Sequence, residues 1–314
     1  MVTGGAGFIG SHVCERLLLE GHSVCAFDEL NDFYNPQLKR KNVEELRAVK
    51  GNFEFVQGDL LDTSALEAVF NRGHFDQVIH LAARTGVRPS METPALYQRV
   101  NVEGTVNVLE AARRQGTKKI LLASSSSVYG VNAKVPFSES DPIFSAISPY
   151  AASKLACEAL GHVYHHVYGM DVTALRFFTV YGPRQRPDLA IHKFVSLINA
   201  GKPIPVFGDG RSSRDYTFVS DIVDGVVAAT KCELGFEIIN LGGSHPVELS
   251  RLIELLEAAL GKRAIIERRP PQPGDVPTTF ADVSRAERLL GYRPRVKIEE
   301  GIPLFVEWFA KQRG

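Results

Sequence analysis

The segment Thr3-Gly-Gly-Ala-Gly-Phe-Ile-Gly10, followed by a helix-like run over 11–20 and then Gly21, constrains this chain more than any other feature. Gly4, Gly7 and Gly10 suit a tight strand-to-helix turn that opens bare backbone N–H groups at a helix N-terminus to a pyrophosphate. Many glycine-rich turns are only turns, so the context decides. Here the next strand-like run, 22–28, ends in Asp28, eighteen residues after Gly10, where a carboxylate accepts hydrogen bonds from an adenosine ribose. That carboxylate repels a 2′-phosphate, so the pattern predicts NAD rather than NADP. Only Met1 and Val2 precede Thr3, and the first strand is expected to be very short or cut.

Strand and helix signals alternate after this unit. Strands are expected over 53–56, 77–83, 119–124 and 171–176, with helices around 64–70 and 94–115 and another beginning near Tyr150. Such alternation predicts an α/β fold, a Rossmann doubly wound parallel sheet with helices on both faces. Residues 1–175 would form the NAD-binding domain, with 217–242 returning to it, and 176–314 a smaller C-terminal α/β substrate domain. Ligands of these sheets collect beyond the carboxyl ends of the strands. Asp28, Asp59, Ala82, Ala83 and Ser125 all fall at such ends. Singly each is a loop residue or cap; together they outline one cleft.

Composition excludes several classes. The 36 basic and 36 acidic residues cancel, so no global field points to nucleic acid or to an anionic membrane. Cys14, Cys25, Cys157 and Cys232 lack ligand spacing and read as reduced thiols. No apolar stretch approaches a membrane span and no signal peptide precedes the glycine turn, which predicts a cytoplasmic enzyme. His162, His165 and His166 have no carboxylate motif beside them and read as helix-surface or dimer-face residues, so no metal is expected.

The chemistry is carried by Ser148-Pro-Tyr-Ala-Ala-Ser-Lys154, where Tyr150 and Lys154 stand at i and i+4 on one helix face. An ammonium one turn from a phenol stabilises its phenolate, making Tyr150 a candidate general base for a hydroxyl proton. Of nine tyrosines, only Tyr150 has a lysine four residues on, although a surface pair is the plain reading of this spacing. The serine run 124–127 would ordinarily be a solvated turn. Its place at a strand end instead allows a hydroxyl to bridge Tyr150 and a substrate hydroxyl. Lys154 would act twice, on the phenolate and on the nicotinamide ribose.

Taken together, Thr3 to Gly10, Asp59-Leu60, His80-Leu-Ala-Ala83, Ser125, Tyr150 with Lys154, and Arg214-Asp215-Tyr216 resemble the extended short-chain dehydrogenase/reductases, in their nucleotide-sugar branch. The resemblance spans essentially the whole chain. It implies NAD held by Gly4, Gly7, Phe8, Ile9, Gly10, Asp28, Asp59, Leu60, Leu81, Ala82, Ala83, Tyr150 and Lys154. It also implies a nucleoside-diphosphate sugar in the C-terminal part and a homodimer paired through the helices 94–115 and 150–168. Sugar 4,6-dehydratases of this frame carry Asp-Glu after the hydroxyl residue, and uronate decarboxylases a Glu at the position of Ser127. Serine stands at both 126 and 127 here, so the resemblance favours a C4 epimerase, which needs only base, hydroxyl relay and NAD.

On the sugar side, Thr179 matches a sugar-contacting Asn or Thr of such epimerases, with Ser125, Ser126, Ser127 and Tyr150 around it. The loop 180–188 resembles that of UDP-glucuronate 4-epimerases, in which an arginine matching Arg186 meets the C6 carboxylate; a planar guanidinium fork suits that pairing. Asn31-Asp-Phe-Tyr34 also resembles the uronate branch. The run 207–216 reads as a hairpin turn and a basic strand, with Arg211 and Arg214 as diphosphate clamps and Asp275 for the uridine ribose. Neutral-sugar epimerases usually carry an arginine three residues before that aspartate; Gln272 stands there, and Arg269 is the candidate substitute. The expected activity is NAD-dependent C4 epimerisation of a UDP-sugar, UDP-glucuronate to UDP-galacturonate, through a transient 4-keto sugar. The alternatives are a UDP-glucose/UDP-galactose 4-epimerase, a UDP-uronate decarboxylase, or an NAD-binding sensor that has lost the chemistry.

Overall fold

The opening strand β1, Val2–Thr3, has only two residues, yet it lies inside the central sheet with a strand on either side. A computed structural model describes residues 1–131, 134–143, 145–270 and 276–312. β1 pairs in parallel with β2 (Val24–Asp28) on one side and with β4 (Gln77–His80) on the other. β3 (Phe53–Gln57) extends the sheet beyond β2, and β5 (Lys119–Ser125) and β6 (Asp171–Phe177) extend it beyond β4. Later come β7 (Thr179–Tyr181), β8 (Ile204–Phe207), β9 (Ser213–Phe218) and β10 (Phe236–Leu241), of which β10 joins the far edge beside β6. The result is a seven-stranded, all-parallel sheet in the order β3-β2-β1-β4-β5-β6-β10, the doubly wound Rossmann arrangement.

Helices cover both faces, which is why these strands read as nearly continuous apolar runs. Alternate residues enter opposite layers: Val24 and Ala26 pack with Val13 and Leu17 of the helix Phe8–Leu19 and with Val223 and Val226 of the helix Val219–Thr230. Cys25 and Phe27 pack the other way, against Leu66 and Phe70 of the helix Thr63–Arg72 and Val108 and Leu109 of the helix Gly104–Arg114. β11 (Pro246–Glu248) and β12 (Ile266–Arg269) complete two small sheets, β11-β9-β7 and β12-β8.

Three local expectations need correction. The strand expected over 77–83 stops at His80, because its partner β1 ends at Thr3; Leu81 N still reaches Thr3 O at 3.2 Å, and then the ladder gives out. The helix expected over 94–115 is a helical run of three pieces: Pro94–Tyr97, a π-helical turn Gln98–Glu103, and Gly104–Arg114. The turn at 208–212 does not close a hairpin. β8 pairs with β12 and β9 with β7 and β11, so the two strands it joins belong to different sheets.

Candidate active site

The glycine turn is as tight as its spacing requires. Gly4 sits at φ +70°, and a Cβ there would lie 2.8 Å from Ala82 N; a Cβ on Gly10 would lie 2.1 Å from Gly4 O. The helix Phe8–Leu19 therefore starts against the strand ends with its first N–H groups open. Asp28, at the end of β2, is buried; Oδ1 accepts from Leu30 N at 2.9 Å and Oδ2 from Ala6 N at 3.3 Å. Burial raises its pKa, while Lys39 at 3.9 Å and the two amides act against that shift. This set fits a dinucleotide: glycines that admit a close backbone approach, and a fixed carboxylate one strand away.

His80 locks the neighbouring strand ends. Its Nδ1 lies 2.7 Å from Thr3 Oγ1 and its Nε2 3.0 Å from Thr105 Oγ1. Burial lowers its pKa to about 3, so the ring is neutral and serves as a hydrogen-bond bridge. Asp59 Oδ1 accepts from Leu61 N at 2.9 Å and shapes the loop that presents Leu60.

The reaction corner is set by a capped helix. Ser148 Oγ accepts from Ala151 N at 3.0 Å and Pro149 takes the first helical position, so the helix Pro149–Tyr168 begins one residue before Tyr150. Lys154 is buried, and its Nζ donates to Ala123 O at 2.7 Å. Ser125 Oγ accepts from Ser127 N at 3.2 Å and from Ser127 Oγ at 3.0 Å, so the two hydroxyls form a chain.

The sequence reading missed what lies behind these groups. Ser124 donates to Glu158, whose carboxylate takes Arg176 Nε and Nη2, both at 2.8 Å. Arg176 Nη1 donates to Tyr129 OH at 2.9 Å, and that hydroxyl donates to Asn240 Oδ1 at 2.7 Å. The π-helical turn has a comparable purpose. Its buried Asn101 accepts from Arg84 N at 2.7 Å and donates to Arg84 O at 3.0 Å and to Ser153 Oγ at 2.9 Å. It thus fixes the loop after β4 against the helix that carries Tyr150. Tyr97 adds an edge-to-face contact to Tyr150, ring centroids 6.2 Å apart, and donates to Thr85 O at 2.7 Å. No local motif announced these partners, because each joins segments far apart in sequence.

Arg186 comes from the sugar-side loop. Its Nε and Nη2 hold Asp188 at 3.0 and 2.7 Å, its Nη1 donates to Thr85 Oγ1, and its guanidinium lies 5.4 Å from the Phe33 ring centroid. Burial alone would lower its pKa, but Asp188 more than offsets that, and the net shift is upward. The pairing with Asp188 was not expected from the sequence.

A cavity of about 490 Å³ joins these parts. It is lined by Gly4, Gly7, Phe8, Ile9, Gly10, Asp28, Asp59, Leu60, Leu81, Ala82 and Ala83 on the cofactor side. Ser125, Ser126, Ser127, Tyr150, Lys154, Thr179, Arg186 and Arg214 line the remainder. Arg211 is not among the lining residues; its side chain is 85% exposed, 3.9 Å from Asp209. Arg269 is spent on Glu267 at 3.0 Å. Asp275 and Gln272 lie outside the described residues. His162 and His166 are exposed and stacked at 6.1 Å, and His165 Nδ1 lies 2.8 Å from Met170 O.

Comparison with known proteins gives the same frame. A family model described as GDP-mannose 4,6 dehydratase matches residues 1–304. A UDP-glucuronate 4-epimerase of Thermodesulfobacterium geofontis is 45% identical, over 98% of this chain and 95% of the relative. The solved UDP-glucuronic acid 4-epimerase of Bacillus cereus, in complex with UDP-glucuronic acid and NAD, superposes with a TM-score of 0.92 at 36% identity, covering 99% of this chain and 98% of the other. The UDP-glucose 4-epimerase of Thermotoga maritima, solved with UDP-glucose, superposes equally well, 0.92 at 33% identity, covering 100% of this chain and 99% of the other.

Proposed function

The chain belongs to the extended short-chain dehydrogenase/reductase family, in the group whose model is described as GDP-mannose 4,6 dehydratase, and from that premise we propose that it is an NAD-dependent 4-epimerase interconverting UDP-glucuronate and UDP-galacturonate. One observation carries this reading. The cavity that presents Tyr150, Lys154 and Ser125 also presents Arg186, and it has serines rather than carboxylates at 126 and 127.

The glycine turn and Asp28 would hold NAD, and the bound cofactor would supply the hydride acceptor and donor for C4 of the sugar. Tyr150 takes the C4 hydroxyl proton and gives it back, with Ser125 as relay and the Lys154 ammonium favouring the phenolate. A 4,6-dehydration eliminates water across C5–C6 of the 4-keto sugar and needs an acid to protonate the departing C6 hydroxyl, which Ser126 and Ser127 cannot supply. The 4-keto uronate is a β-keto acid, and it loses carbon dioxide readily only when the C5–carboxylate bond aligns with the C4 carbonyl π system. Arg186 holds the carboxylate near the ring plane, out of that alignment, while the keto sugar turns to show its other face. Thr179 and the 126–127 hydroxyls face the sugar, and Arg214 meets the diphosphate.

A UDP-glucose 4-epimerase is the second reading. It is favoured by Asp188, which already occupies one edge of the Arg186 fork. Incubation of the purified protein with UDP-glucuronate and UDP-glucose, followed by product mass and proton NMR, tests both. An isobaric C4 epimer formed preferentially from UDP-glucuronate supports the proposal. A pentose lighter by carbon dioxide, a 4-keto product lighter by water, or turnover of UDP-glucose alone refutes it.

The protein acts as a homodimer in this reading. Leu96 on the helix Pro94–Tyr97 and Val163, Val167 and Tyr168 on the helix Pro149–Tyr168 are exposed apolar residues on the two elements expected to pair. Sedimentation velocity tests this. A cytoplasmic setting fits the four free cysteines, and among the described residues no helix is long and apolar enough to cross a membrane.

A further inference from the structure

Arg184 holds a conformation that its residue type disfavours. Gln185 N donates to Gly182 O at 3.2 Å, closing a tight turn with Pro183 in its second position and Arg184, at φ +62°, in its third. That is the place in a type II turn where glycine or asparagine belongs, because a Cβ crowds the neighbouring carbonyl there. A side chain at such a site must offset the strain through what it touches.

Its contacts lead to the cofactor side of the molecule. Arg184 Nη1 reaches Glu15 at 2.7 Å, while Nη2 and Nε reach Glu45 at 2.8 and 3.0 Å, and the side chain is 12% exposed. Glu15 lies on the helix Phe8–Leu19, which starts at the glycine turn, and Glu45 on the helix Pro36–Ala48. The preceding residue is tied to the same helix, since His12 Nε2 donates to Pro183 O at 2.9 Å. His12 is neutral, its pKa lowered to about 4 by burial and then by Arg184, so a proton is available for that bond on only one ring nitrogen. From the other side His192 Nδ1 donates to Gln185 O at 2.7 Å. Every residue from 183 to 185 is therefore fixed, and Arg186 follows directly.

We infer that Arg184 is a positioning residue: through Glu15 and Glu45 it fixes the turn that presents Arg186 to the sugar, and so sets the preference for a substrate bearing a carboxylate. The inference rests on the reading of Arg186 given above. Fork geometry is what such a device protects. A guanidinium that must meet a carboxylate while keeping Asp188 and Thr85 loses its aim when the backbone before it shifts.

Arg184→Gly is the informative variant, because glycine suits the positive φ of the turn while the contacts to Glu15 and Glu45 are removed. Turnover and dissociation constants for UDP-glucuronate and UDP-glucose are measured on NAD-loaded wild type, Arg184→Gly, Arg184→Lys and Arg186→Ala, with binding read in a Tyr150→Phe background. Arg184→Gly is expected to weaken UDP-glucuronate roughly ten- to a hundredfold, mostly in KM, and UDP-glucose by less than about threefold. Arg184→Lys should recover part of the loss, since a single ammonium can meet only one of the two carboxylates well. Wild-type preference in Arg184→Gly beside a lost preference in Arg186→Ala overturns the inference and leaves the carboxylate reading standing. Unchanged preference in both overturns the carboxylate reading, and the inference with it. Equal losses on both substrates assign Arg184 to general loop stability and also overturn it.

Discussion

The floor of the cavity and its sugar-side wall are built on different principles. On the floor, the glycine turn, Asp28 and residues 81–83 sit where parallel strands end, and backbone geometry does the shaping: a Cβ at Gly4 or Gly10 would strike main-chain atoms. On the wall, the Arg186 guanidinium is held by side chains, by Asp188 next to it and by Thr85 and Phe33 from distant loops, on a turn that other side chains pin in place. A main-chain cradle has almost no freedom to vary, whereas a wall of paired side chains can be retuned one residue at a time. In the proposed function, cofactor chemistry belongs to the floor and substrate choice to the wall.

The largest effect is expected at the boundary between the two. Tyr150→Phe removes the only base in the scheme, and positioned general bases contribute 10²–10⁴-fold. C4 turnover should fall by about that factor, while NAD, held by the floor, still copurifies and UDP-sugar still binds. Near-normal turnover in this variant would remove Tyr150 from the chemistry. Loss of bound NAD would mean that floor and boundary are not separable.

Next comes the foundation beneath both. Arg176→Met strands the Glu158 carboxylate, which is 6% exposed and otherwise bonded to Ser124. Removing one partner of such a buried pair costs roughly 3–5 kcal/mol, and replacing both by apolar residues costs far less. Denaturant unfolding of Arg176→Met and of an Arg176→Met/Glu158→Leu double variant should show this asymmetry. If the double variant is the less stable of the two, the network does more than neutralise charge.

The same division explains what was legible in the sequence. Gly4, Gly7, Gly10 and Asp28 are local signals, spaced along one strand–helix–strand unit, and each lines the cavity. Tyr150 and Lys154 are equally local, one helical turn apart behind a serine cap. Asn101 with Arg84 and Ser153, Glu158 with Arg176, and Tyr97 with Thr85 are long-range pairs whose members carry no mark of each other. The π-helical turn escaped notice for a related reason, since no composition distinguishes it from the α-helix on either side. The supposed hairpin at 208–212 failed because a turn signal names a reversal, not the sheets that its two strands join.

On the wall, Arg186→Ala is expected to lower UDP-glucuronate turnover roughly ten- to a hundredfold, as for a charged hydrogen bond of about 1.5–3 kcal/mol. UDP-glucose turnover should change much less, and escaped product should contain more of the decarboxylated pentose. Product ratios by mass spectrometry check both statements. Equal losses on both sugars would move substrate choice off this wall and favour a UDP-hexose 4-epimerase.

The smallest effect separates two arginines that the sequence treats alike. Arg211 and Arg214 lie three residues apart in one basic run, and both are natural diphosphate partners by charge. Their surroundings differ. Arg214 lies on β9, lines the cavity, and has its Nη1 held by Ser213 O at 2.8 Å, so its fork is already oriented. Arg211 lies in the turn before that strand, 85% exposed, with Asp209 at 3.9 Å. A flexible exposed cation must be ordered before it can clamp a phosphate, and that entropy cost consumes much of what the contact gains. Arg211→Ala should therefore raise the KM for either UDP-sugar by less than about threefold, within the range of ordinary surface substitutions. Arg214→Ala should raise it roughly tenfold or more, as for a charged hydrogen bond to a diphosphate. Both losses should be independent of the sugar, because the diphosphate is common to the two substrates. A tenfold or larger effect at Arg211 would mean that the 208–212 turn folds over the diphosphate when substrate binds. The wall would then owe part of its shape to the ligand, and the contrast with the preformed floor would become sharper.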